Sequence, residues 1–308
     1  MPERLVIGTR GSLLALTQTN GVADALRRAH PKLEVELRTI STKGDRRQDI
    51  PLPQIGAKGL FTEELEQALI AGRIDLAVHS AKDLPTEMPE QLTLGCVPKR
   101  EDPRDAFLAA TVSRIEDLPE GAIIGTSSLR RQAQLAHWRG DFEFTALRGN
   151  IDTRIKKLQR GDCDATLLAA AGLNRSGLAG QITHFLDVDQ MVPAPGQGCL
   201  ALQSRVVDER VNGLLARLHD EPSAIALGAE RAITAQLEGG CRAPIGVLVE
   251  VDGQRLCGHA VVAMPDGSRL VRAATQTDSV DRLIRETVDT LVAGGAREII
   301  AHCRSSAP

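Results

Sequence analysis

The sequence predicts an α/β protein with largely parallel sheets, followed by a small α+β domain. Apolar strand-like runs alternate with segments of helical period from residue 5 to about residue 175, which is typical of parallel sheets with crossover helices. Glycine and small hydroxyl residues follow several of these runs, as expected where a strand leads into a helix. After about residue 220 the pattern changes to adjacent strands joined by short turns, which indicates a separate domain.

Composition places the chain among soluble globular proteins. Its 308 residues carry a formal net charge of −3, with 42% hydrophobic and 25% charged residues, so two or three domains are expected. No apolar run approaches the roughly 20 residues that cross a bilayer. Residues 1–8 enter a strand pattern without the apolar core of a signal peptide. We therefore expect a cytoplasmic protein with no membrane partner.

Cysteine and aromatic content argue against several kinds of site. The six cysteines are scattered without the close spacing of a zinc site, so no metal is expected. Aromatic residues make up 2% of the chain, with no tyrosine, which argues against stacking of single-stranded nucleic acid. The slightly acidic total argues against general polyanion binding. A basic site must therefore be local and suited to a small acidic ligand.

The first elements are assigned from caps and periodicity. Residues 5–8 form a strand, and Ser12 is placed to cap a helix that ends near residue 30. Residues 33–37 alternate between apolar and charged side chains, as in a half-exposed strand. Thr62 is predicted to cap a further helix with acidic residues in its first turn. The polar segment 41–58 is expected to form a mobile lid.

The next elements repeat the alternation of strand and helix. Residues 74–78 alternate in polarity and break at residues 79–85. Residues 142–147 form a strand before a helix that contains Arg154, and residues 165–171 are another apolar run. Each run therefore ends in a short polar segment, where a ligand site is expected in a parallel sheet.

Two proline-rich passages, residues 98–103 and 192–198, predict crossings between domains. Later elements are a helical stretch around residues 225–233, strands with turns at 252–253 and 266–267, and a helix over 279–294. The predicted division is residues 1–99 with 200–217 for domain 1, 100–199 for domain 2 and 218–308 for domain 3.

Residues 123–132 (IIGTSSLRRQ) have the pattern of a strand, a tight turn and a helix N-terminus. Ser127 or Ser128 can cap this helix by accepting a backbone N–H bond. The free N–H groups of the first turn carry partial positive charge, and Arg130 and Arg131 add two guanidinium groups. This pattern predicts a cradle for an anion.

Charged residues recur just past the predicted strand ends. They are Arg10, Lys82, Asp83, Arg130, Arg131, Arg148 and Arg175. Because ligands of parallel sheets bind outside the carboxyl ends of the strands, this mostly cationic set predicts a basic cleft. The ligand is expected to carry several carboxylates or phosphates. Neither a phosphate loop nor a dinucleotide-binding glycine pattern is present, so nothing indicates a nucleotide cofactor.

Three residues with reactive side chains are open to more than one interpretation. Asp83 is suited to stabilise a cationic intermediate or to move a proton on a substrate nitrogen, or it caps its own loop. Cys241 is either a reactive thiolate favoured by Arg242 or a buried structural cysteine. His79 is interpreted as a packed or hydrogen-bonded histidine rather than a catalytic one.

Eight short motifs, in this order, resemble those of the porphobilinogen deaminase family over essentially the whole chain. They are residues 8–16 (GTRGSLLAL), 59–65 (GLFTEEL), 77–85 (AVHSAKDLP), 100–106 (REDPRDA), 125–131 (GTSSLRR), 147–150 (LRGN), 195–198 (PGQG) and 239–241 (GGC).

The resemblance implies three domains, of which the first two are like the lobes of a periplasmic binding protein with a cleft between them. It also implies a transferase, most often a monomer, that condenses four porphobilinogen molecules with loss of ammonia. The chain would grow on a dipyrromethane cofactor attached by a thioether to Cys241, and hydrolysis would release hydroxymethylbilane.

The resemblance further implies roles for the charged residues. Lys82, Ser128, Arg130, Arg131 and Arg154 would hold the cofactor carboxylates, and Arg10, Ser12, Arg148 and Arg175 would hold the substrate or the growing chain. Asp83 would contact pyrrole N–H groups and stabilise the positive charge that appears as ammonia leaves. Two alternatives share the basic cleft: a two-lobed binding protein for small anions without catalysis, and a transferase for another polycarboxylate.

Overall fold

The computed structural model describes residues 3–46, 60–237 and 243–305. The chain divides into two compact units, which are residues 1–101 with 199–225 (unit 1) and residues 102–198 with 226–308 (unit 2). Cys241 and most of the segment 41–58 lie outside the described residues, so the predicted cofactor attachment and the predicted lid remain predictions.

The described strands are β1 (Glu3–Thr9), β2 (Leu33–Thr39), β3 (Leu76–Ser80), β4 (Leu92–Cys96), β5 (Asp105–Ala109), β6 (Ile123–Gly125), β7 (Glu143–Thr145), β8 (Ala165–Ala169), β9 (His184–Phe185), β10 (Leu200–Arg205), β11 (Ile245–Asp252), β12 (Arg255–Ala263) and β13 (Leu270–Thr277). The described α-helices are α1 (Leu13–Ala29), α2 (Lys43–Arg46), α3 (Glu63–Ile70), α4 (Leu129–Trp138), α5 (Ile151–Gln159), α6 (Ala170–Arg175), α7 (Glu209–Leu215), α8 (Glu221–Gln236), α9 (Val280–Ala293) and α10 (Ala296–Ser305).

Unit 1 contains a five-stranded sheet in the order β2-β1-β3-β10-β4. Strands β1, β2 and β3 are parallel, and β10 runs antiparallel to β3 and β4. Leu5, Ile7 and Leu26 are fully buried where α1 covers one face of the sheet. Leu65 and Ile74 belong to a second buried cluster, to which α3 contributes. The carboxyl ends of β1 and β3 therefore lie side by side at one edge of this sheet.

Unit 2 contains a second five-stranded sheet, in the order β7-β6-β8-β5-β9. Strands β6, β7 and β8 are parallel, and β5 is antiparallel to β8 and β9. The order has the same form as in unit 1, because the fourth strand is again the antiparallel one. Phe107, Ile124 and Leu167 are buried in one core cluster of this sheet, and Leu108 and Leu168 are buried in another.

Strands β11, β12 and β13 form a third, antiparallel sheet within unit 2, and helix α9 packs on it. The turn before β13 lies close to α4: a Cβ atom on Gly267 would lie 2.5 Å from the backbone nitrogen of His137. Gly267 also has φ of +75°, and its carbonyl oxygen lies 2.9 Å from Nδ1 of His137. The small third sheet is thus fixed to the helix that carries Arg130 and Arg131.

The predicted fold class of two α/β lobes and a small α+β part is confirmed. The predicted caps are confirmed at Ser12, whose Oγ accepts from the Ala15 N–H, and at Ser128 rather than Ser127. The cap predicted for Thr62 is wrong: Thr62 precedes α3, but its hydroxyl makes no capping hydrogen bond.

The beginning of α8 belongs to unit 1, whereas the sequence predicts that domain 3 begins at residue 218. The Arg100 N–H donates to Ser223 Oγ at 2.9 Å, and the Asp220 N–H donates to the Val97 carbonyl at 2.9 Å. These bonds attach residues 218–225 to the segment that follows β4. The separation of domain 3 from domain 2 stays a prediction, because the contacts group both within unit 2.

Glu230, in the part of α8 that belongs to unit 2, is fully buried. Its carboxylate accepts from the Gly196 N–H at 2.6 Å and from the Val249 N–H at 2.8 Å. It therefore joins the loop at residues 195–198 to strand β11.

We predict that Glu230→Ala destabilises unit 2, since two buried N–H groups lose their acceptor, at roughly 1–3 kcal/mol for each group left unsatisfied. The free energy of unfolding from urea denaturation measures the effect. Glu250→Ala, at an exposed position on β11, is the matched control and should change stability little. Equal stability of the two variants would contradict the role given to Glu230.

Candidate functional site

Unit 1 contains a small cavity of about 50 Å³ beside the carboxyl ends of β1 and β3. Its lining includes Arg10, Ser12 and Asp83, which the sequence singles out, together with Phe61 and His79. Arg10 follows β1 directly, and Asp83 ends a 3-10 turn that follows β3. The parallel pairing of β1 with β3 therefore brings these residues together, as the strand-end argument predicts.

Arg10 is oriented by two neighbours that the sequence analysis missed. Its Nη2 and Nε lie 2.6 and 3.1 Å from Oδ1 of Asp45, and its guanidinium carbon lies 4.2 Å from the centroid of the Phe61 ring. Burial alone would raise the pKa of Asp45, but hydrogen bonds and charge from Arg10 and bonds from Thr42 hold that pKa below its ordinary value. Asp45 thus forms an ion pair with the Arg10 guanidinium. The carboxylate of a ligand would interact with this guanidinium in the same way.

Close packing fixes the ring under Arg10. A Cβ atom on Gly44 would lie 2.0 Å from an atom of the Phe61 ring, so only glycine fits there without displacing the ring. The lysine-glycine pattern of residues 43–44 therefore serves packing at this position. In the sequence, the indication of this contact is the glycine itself, because a residue without a side chain lets the backbone approach another side chain closely.

Lys82 and Asp83 are both exposed in the turn after β3. Asp83 lines the cavity, and Lys82 is not among the residues that line it. Among the described residues, the hydrogen bond at Ser12 Oγ is one that it accepts, from the Ala15 N–H at 3.3 Å, so its hydroxyl hydrogen can serve as a donor. The cavity thus combines a guanidinium and a hydroxyl as donors with the carboxylate of Asp83 as an acceptor.

His79 is buried at the end of β3 and makes the hydrogen bond that the sequence interpretation allowed. Its Nε2 lies 3.1 Å from Oε1 of Gln203, and Nε2 of Gln203 donates to Oε1 of Glu66 at 3.0 Å. All three side chains are at least nine-tenths buried. No local pattern in the sequence indicates this chain of hydrogen bonds, because its members lie on β3, β10 and α3.

Unit 2 carries the predicted anion cradle at the start of α4. Oγ of Ser128 accepts from the Arg131 N–H at 3.4 Å, which places the cap where the sequence predicts it. The two arginines, however, are not solvated: Arg130 and Arg131 are each 6% exposed. Both turn toward β5, where they contact the fully buried carboxylate of Asp105.

Asp105 is the common partner of the two arginines. Arg130 Nη1 lies 2.7 Å from Oδ2, Arg131 Nη2 lies 2.7 Å from Oδ1, and Gln197 Nε2 donates to Oδ1 at 3.0 Å. Burial alone would raise the pKa of the Asp105 carboxyl, but the charges and hydrogen bonds of both arginines outweigh burial and hold that pKa well below its ordinary value. Asp105 therefore stays ionised at neutral pH.

Two guanidinium charges against one carboxylate charge leave this cluster with a net charge of +1. Arg131 is fully engaged, since its Nη1 donates to the Leu167 carbonyl at 2.8 Å and its Nε donates to Asp105. Arg130 Nη1 donates to the Val192 carbonyl at 2.7 Å, while its buried Nε has no hydrogen-bond partner among the residues that the structure describes. A buried positive excess with an unused donor fits a carboxylate group of a ligand.

The remaining predicted residues of unit 2 follow β7 and β8. Arg148 lies in the loop after β7, and Nε of Arg154 on α5 donates to the Gly149 carbonyl of that loop at 2.8 Å. Arg175 ends α6, and its Nη2 donates to the Gly198 carbonyl at 2.8 Å. All three are half-buried, and each lies beyond the carboxyl end of a parallel strand.

The described residues contain no candidate for a membrane-spanning helix or for a metal site. No helix among residues 3–46, 60–237 and 243–305 is long and apolar enough to cross a membrane. In the same part of the chain, no group of three or more His, Cys, Asp or Glu side chains could hold a metal ion.

Comparison with known proteins matches nearly the whole chain. The family model described as porphobilinogen deaminase, dipyromethane cofactor binding domain, matches residues 5–213, and that of the porphobilinogen deaminase C-terminal domain matches residues 224–285. The chain is 47% identical to the porphobilinogen deaminase of Roseiflexus sp. strain RS-1, over 98% of this chain and 100% of the relative. It is 45% identical to that of Oceanobacillus iheyensis, over 97% of both chains.

Solved structures give a weaker likeness. The chain is similar to the methionine-binding protein MetQ, with 12% identity and a TM-score of 0.45 over 73% of this chain and 93% of that chain. It is also similar to a periplasmic substrate-binding protein of an ABC transporter from Coxiella burnetii, with 14% identity and a TM-score of 0.44 over 71% of this chain and 94% of that chain. Scores of this size carry no argument about a ligand.

We predict that Asp105→Asn destabilises unit 2 by roughly 3–5 kcal/mol, because it leaves two buried guanidinium groups without a counter-charge. The folded-state pKa of Asp105 is depressed, so its contribution is complete at neutral pH and is lost as the pH falls below the ordinary aspartate value of about 3.9. The difference in free energy of unfolding between wild type and variant should therefore be constant above about pH 5 and narrow in more acidic solution.

Asp117→Asn, which removes an exposed carboxylate of the same unit, is the control for this experiment. A difference from wild type no larger than that of the control would show that Asp105 is not the anchor of the two arginines.

Proposed function

The chain belongs to the porphobilinogen deaminase family, and we propose how its described residues carry out that family's reaction. The activity is that of a transferase that joins porphobilinogen units with loss of ammonia on a dipyrromethane cofactor and releases hydroxymethylbilane. The observation that carries the proposal is the cavity in which the carboxylate of Asp83 shares its lining with Arg10 and Ser12.

Asp83 is the catalytic residue in this proposal. As ammonia leaves the aminomethyl group of porphobilinogen, positive charge develops on the remaining carbon and spreads to the pyrrole nitrogen. A carboxylate that accepts a hydrogen bond from the pyrrole N–H stabilises that charge more strongly than it stabilises the neutral ring. The same carboxylate can take up a proton when the new carbon–carbon bond has formed.

Cationic and hydroxyl side chains bind the acetate and propionate groups of the pyrroles. Arg10, Ser12, Arg148 and Arg175 are proposed to bind the incoming unit and the growing chain. In unit 1 the support for this role is the ion pair between Arg10 and Asp45. The guanidinium is oriented so that it donates hydrogen bonds to a carboxylate.

The dipyrromethane cofactor is proposed to be attached to Cys241 and bound through its carboxylates by Lys82, Ser128, Arg130, Arg131 and Arg154. When bound, it supplies the pyrrole carbon at which the chain grows. The cluster of Asp105, Arg130 and Arg131 has a net charge of +1, and the Nε of Arg130 has no partner among the described residues. Both observations support an anionic ligand near α4. Arg131, whose donors are engaged by Asp105 and Leu167, contributes charge and fixes the start of α4.

We also propose that the protein acts as a monomer in the cytoplasm. The support is compositional, since the chain has a small formal net charge of −3 and an ordinary proportion of hydrophobic residues, 42%, for a soluble protein. Sedimentation of the purified protein, with a mass near 33.0 kDa, would support the monomer.

We predict that Asp83→Asn lowers kcat by at least about a hundredfold, because the amide keeps the shape of the side chain and loses the charge that stabilises the cation. Asp83 is exposed, so thermal stability should be unchanged. Release of ammonia and formation of hydroxymethylbilane, oxidised to porphyrin after acid treatment, measure the activity. Asp289→Asn is the control at another exposed aspartate, and near-normal activity of Asp83→Asn would refute its role.

We predict that the wild-type protein has an intact mass, under denaturing conditions, above that of its sequence by two linked pyrrole units, and that Cys241→Ala lacks this addition. The thioether survives denaturation, whereas bound but unattached pyrroles are lost. Peptide mapping should place the addition on the peptide that contains Cys241, and Cys257→Ala is the control. An unmodified wild type that stays unmodified after incubation with porphobilinogen would favour a binding protein without catalysis.

A further inference from the structure

The hydrogen bonds around His79 determine which of its ring nitrogens carries a proton. The carboxylate of Glu66 only accepts, so the Gln203 side chain must present its NH₂ group to Glu66 and its oxygen to His79. A carbonyl oxygen also only accepts, and the His79 Nε2 that lies 3.1 Å from it must therefore be the protonated nitrogen. In a neutral ring, Nδ1 then holds a lone pair.

The surroundings keep this ring neutral. Burial lowers the pKa of His79 to about 4, against the hydrogen bond to Gln203, which raises it, and the positive charge of Arg10 lowers it further. At neutral pH the imidazole therefore has one N–H, at Nε2, and one acceptor, at Nδ1.

His79 is among the residues that line the cavity of unit 1, whereas Gln203 and Glu66 are not. The bond from Nε2 to Gln203 is the one hydrogen bond that the described residues give to the imidazole, which leaves Nδ1 available to a ligand. The polar residues of the cavity lining thus include the acceptors Asp83 and His79 beside the donors Arg10 and Ser12.

We propose that His79 binds an N–H group of the substrate through Nδ1, and that Gln203 and Glu66 are positioning residues that hold its ring in the required tautomer. The inference rests on the proposed function, because it assigns a second acceptor to the site of Asp83. A pyrrole with an N–H, an ammonium group and two carboxylates offers partners for both kinds of side chain in this cavity. The donors bind its carboxylates, and the two acceptors orient its nitrogen atoms.

The tautomer is tested by NMR of the holoenzyme labelled with ¹⁵N-histidine, in which His79 is assigned by its loss in His79→Asn. We expect a neutral ring with its proton on Nε2 at neutral pH, and in Glu66→Gln we expect signals of the second tautomer, since an amide at residue 66 lets Gln203 turn over. Glu90→Gln, an exposed control, should keep the wild-type spectrum. A wild-type ring protonated on Nδ1 would overturn the proposal.

The contact with substrate is tested by comparing His79→Asn with His79→Leu. The two side chains are similar in size and both lack the Nε2 atom that bonds Gln203, but only asparagine offers an oxygen near the position of Nδ1. We expect His79→Leu to have a kcat/KM roughly tenfold or more below that of His79→Asn, as for a lost hydrogen bond of about 1.4 kcal/mol. Thermal unfolding of both variants is measured alongside, and each should remain folded at the temperature of the assay.

The outcomes separate the inference from the function on which it rests. Equal kcat/KM in the two variants, with an active wild type, would overturn the role of His79 and leave the transferase activity intact. An inactive wild-type holoenzyme would overturn both. A selective loss in His79→Leu, together with the predicted tautomer, would support the assignment.

Discussion

The buried carboxylate of Asp105 is the interaction on which unit 2 depends. It sits at the start of β5 and binds two consecutive arginines of α4 as well as Gln197 of the loop before β10. Gln197 also donates to the Pro103 carbonyl at 2.7 Å, so the two proline-rich passages of the chain are tied together beside this carboxylate. The orientation of α4, and with it the predicted anion cradle, follows from one charged group that solvent does not reach.

Burying such a cluster of charges lowers the free energy of unfolding, compared with apolar residues in the same place. Two buried guanidinium groups lose their hydration, and one carboxylate compensates only one of the charges. A set of apolar residues would fill the same space without this loss. In the proposed function this excess positive charge has a role, because an incoming carboxylate would neutralise it and could bond to the Nε of Arg130, which lacks a partner among the described residues.

Local patterns in the sequence predict where the charged residues stand relative to strands and helices, but they do not predict the partners of those residues. The caps at Ser12 and Ser128 and the cationic residues after β1, β6 and β7 follow from signals within a few residues. The pairing of Arg131 with Asp105 joins residues 26 positions apart, and that of His79 with Gln203 joins residues 124 positions apart. Such partners depend on strand order, which spacing along the chain does not give.

Thr62 shows that a local pattern can also predict a contact that the fold does not form. Its identity and position match the rule for a helix cap, yet its buried hydroxyl makes no capping bond, because the backbone before α3 has φ of −124° and ψ of −29° rather than the extended conformation of Ser12 and Ser128. The cap rule needs a backbone that tertiary packing decides. Where the chain runs straight from a parallel strand into a helix, as at residues 9–13 and 125–129, the backbone conformation is set by the turn itself and the rule holds. Arg10 and Arg148, which the sequence singles out, lie in such turns between strand and helix, where local sequence and fold impose the same constraint.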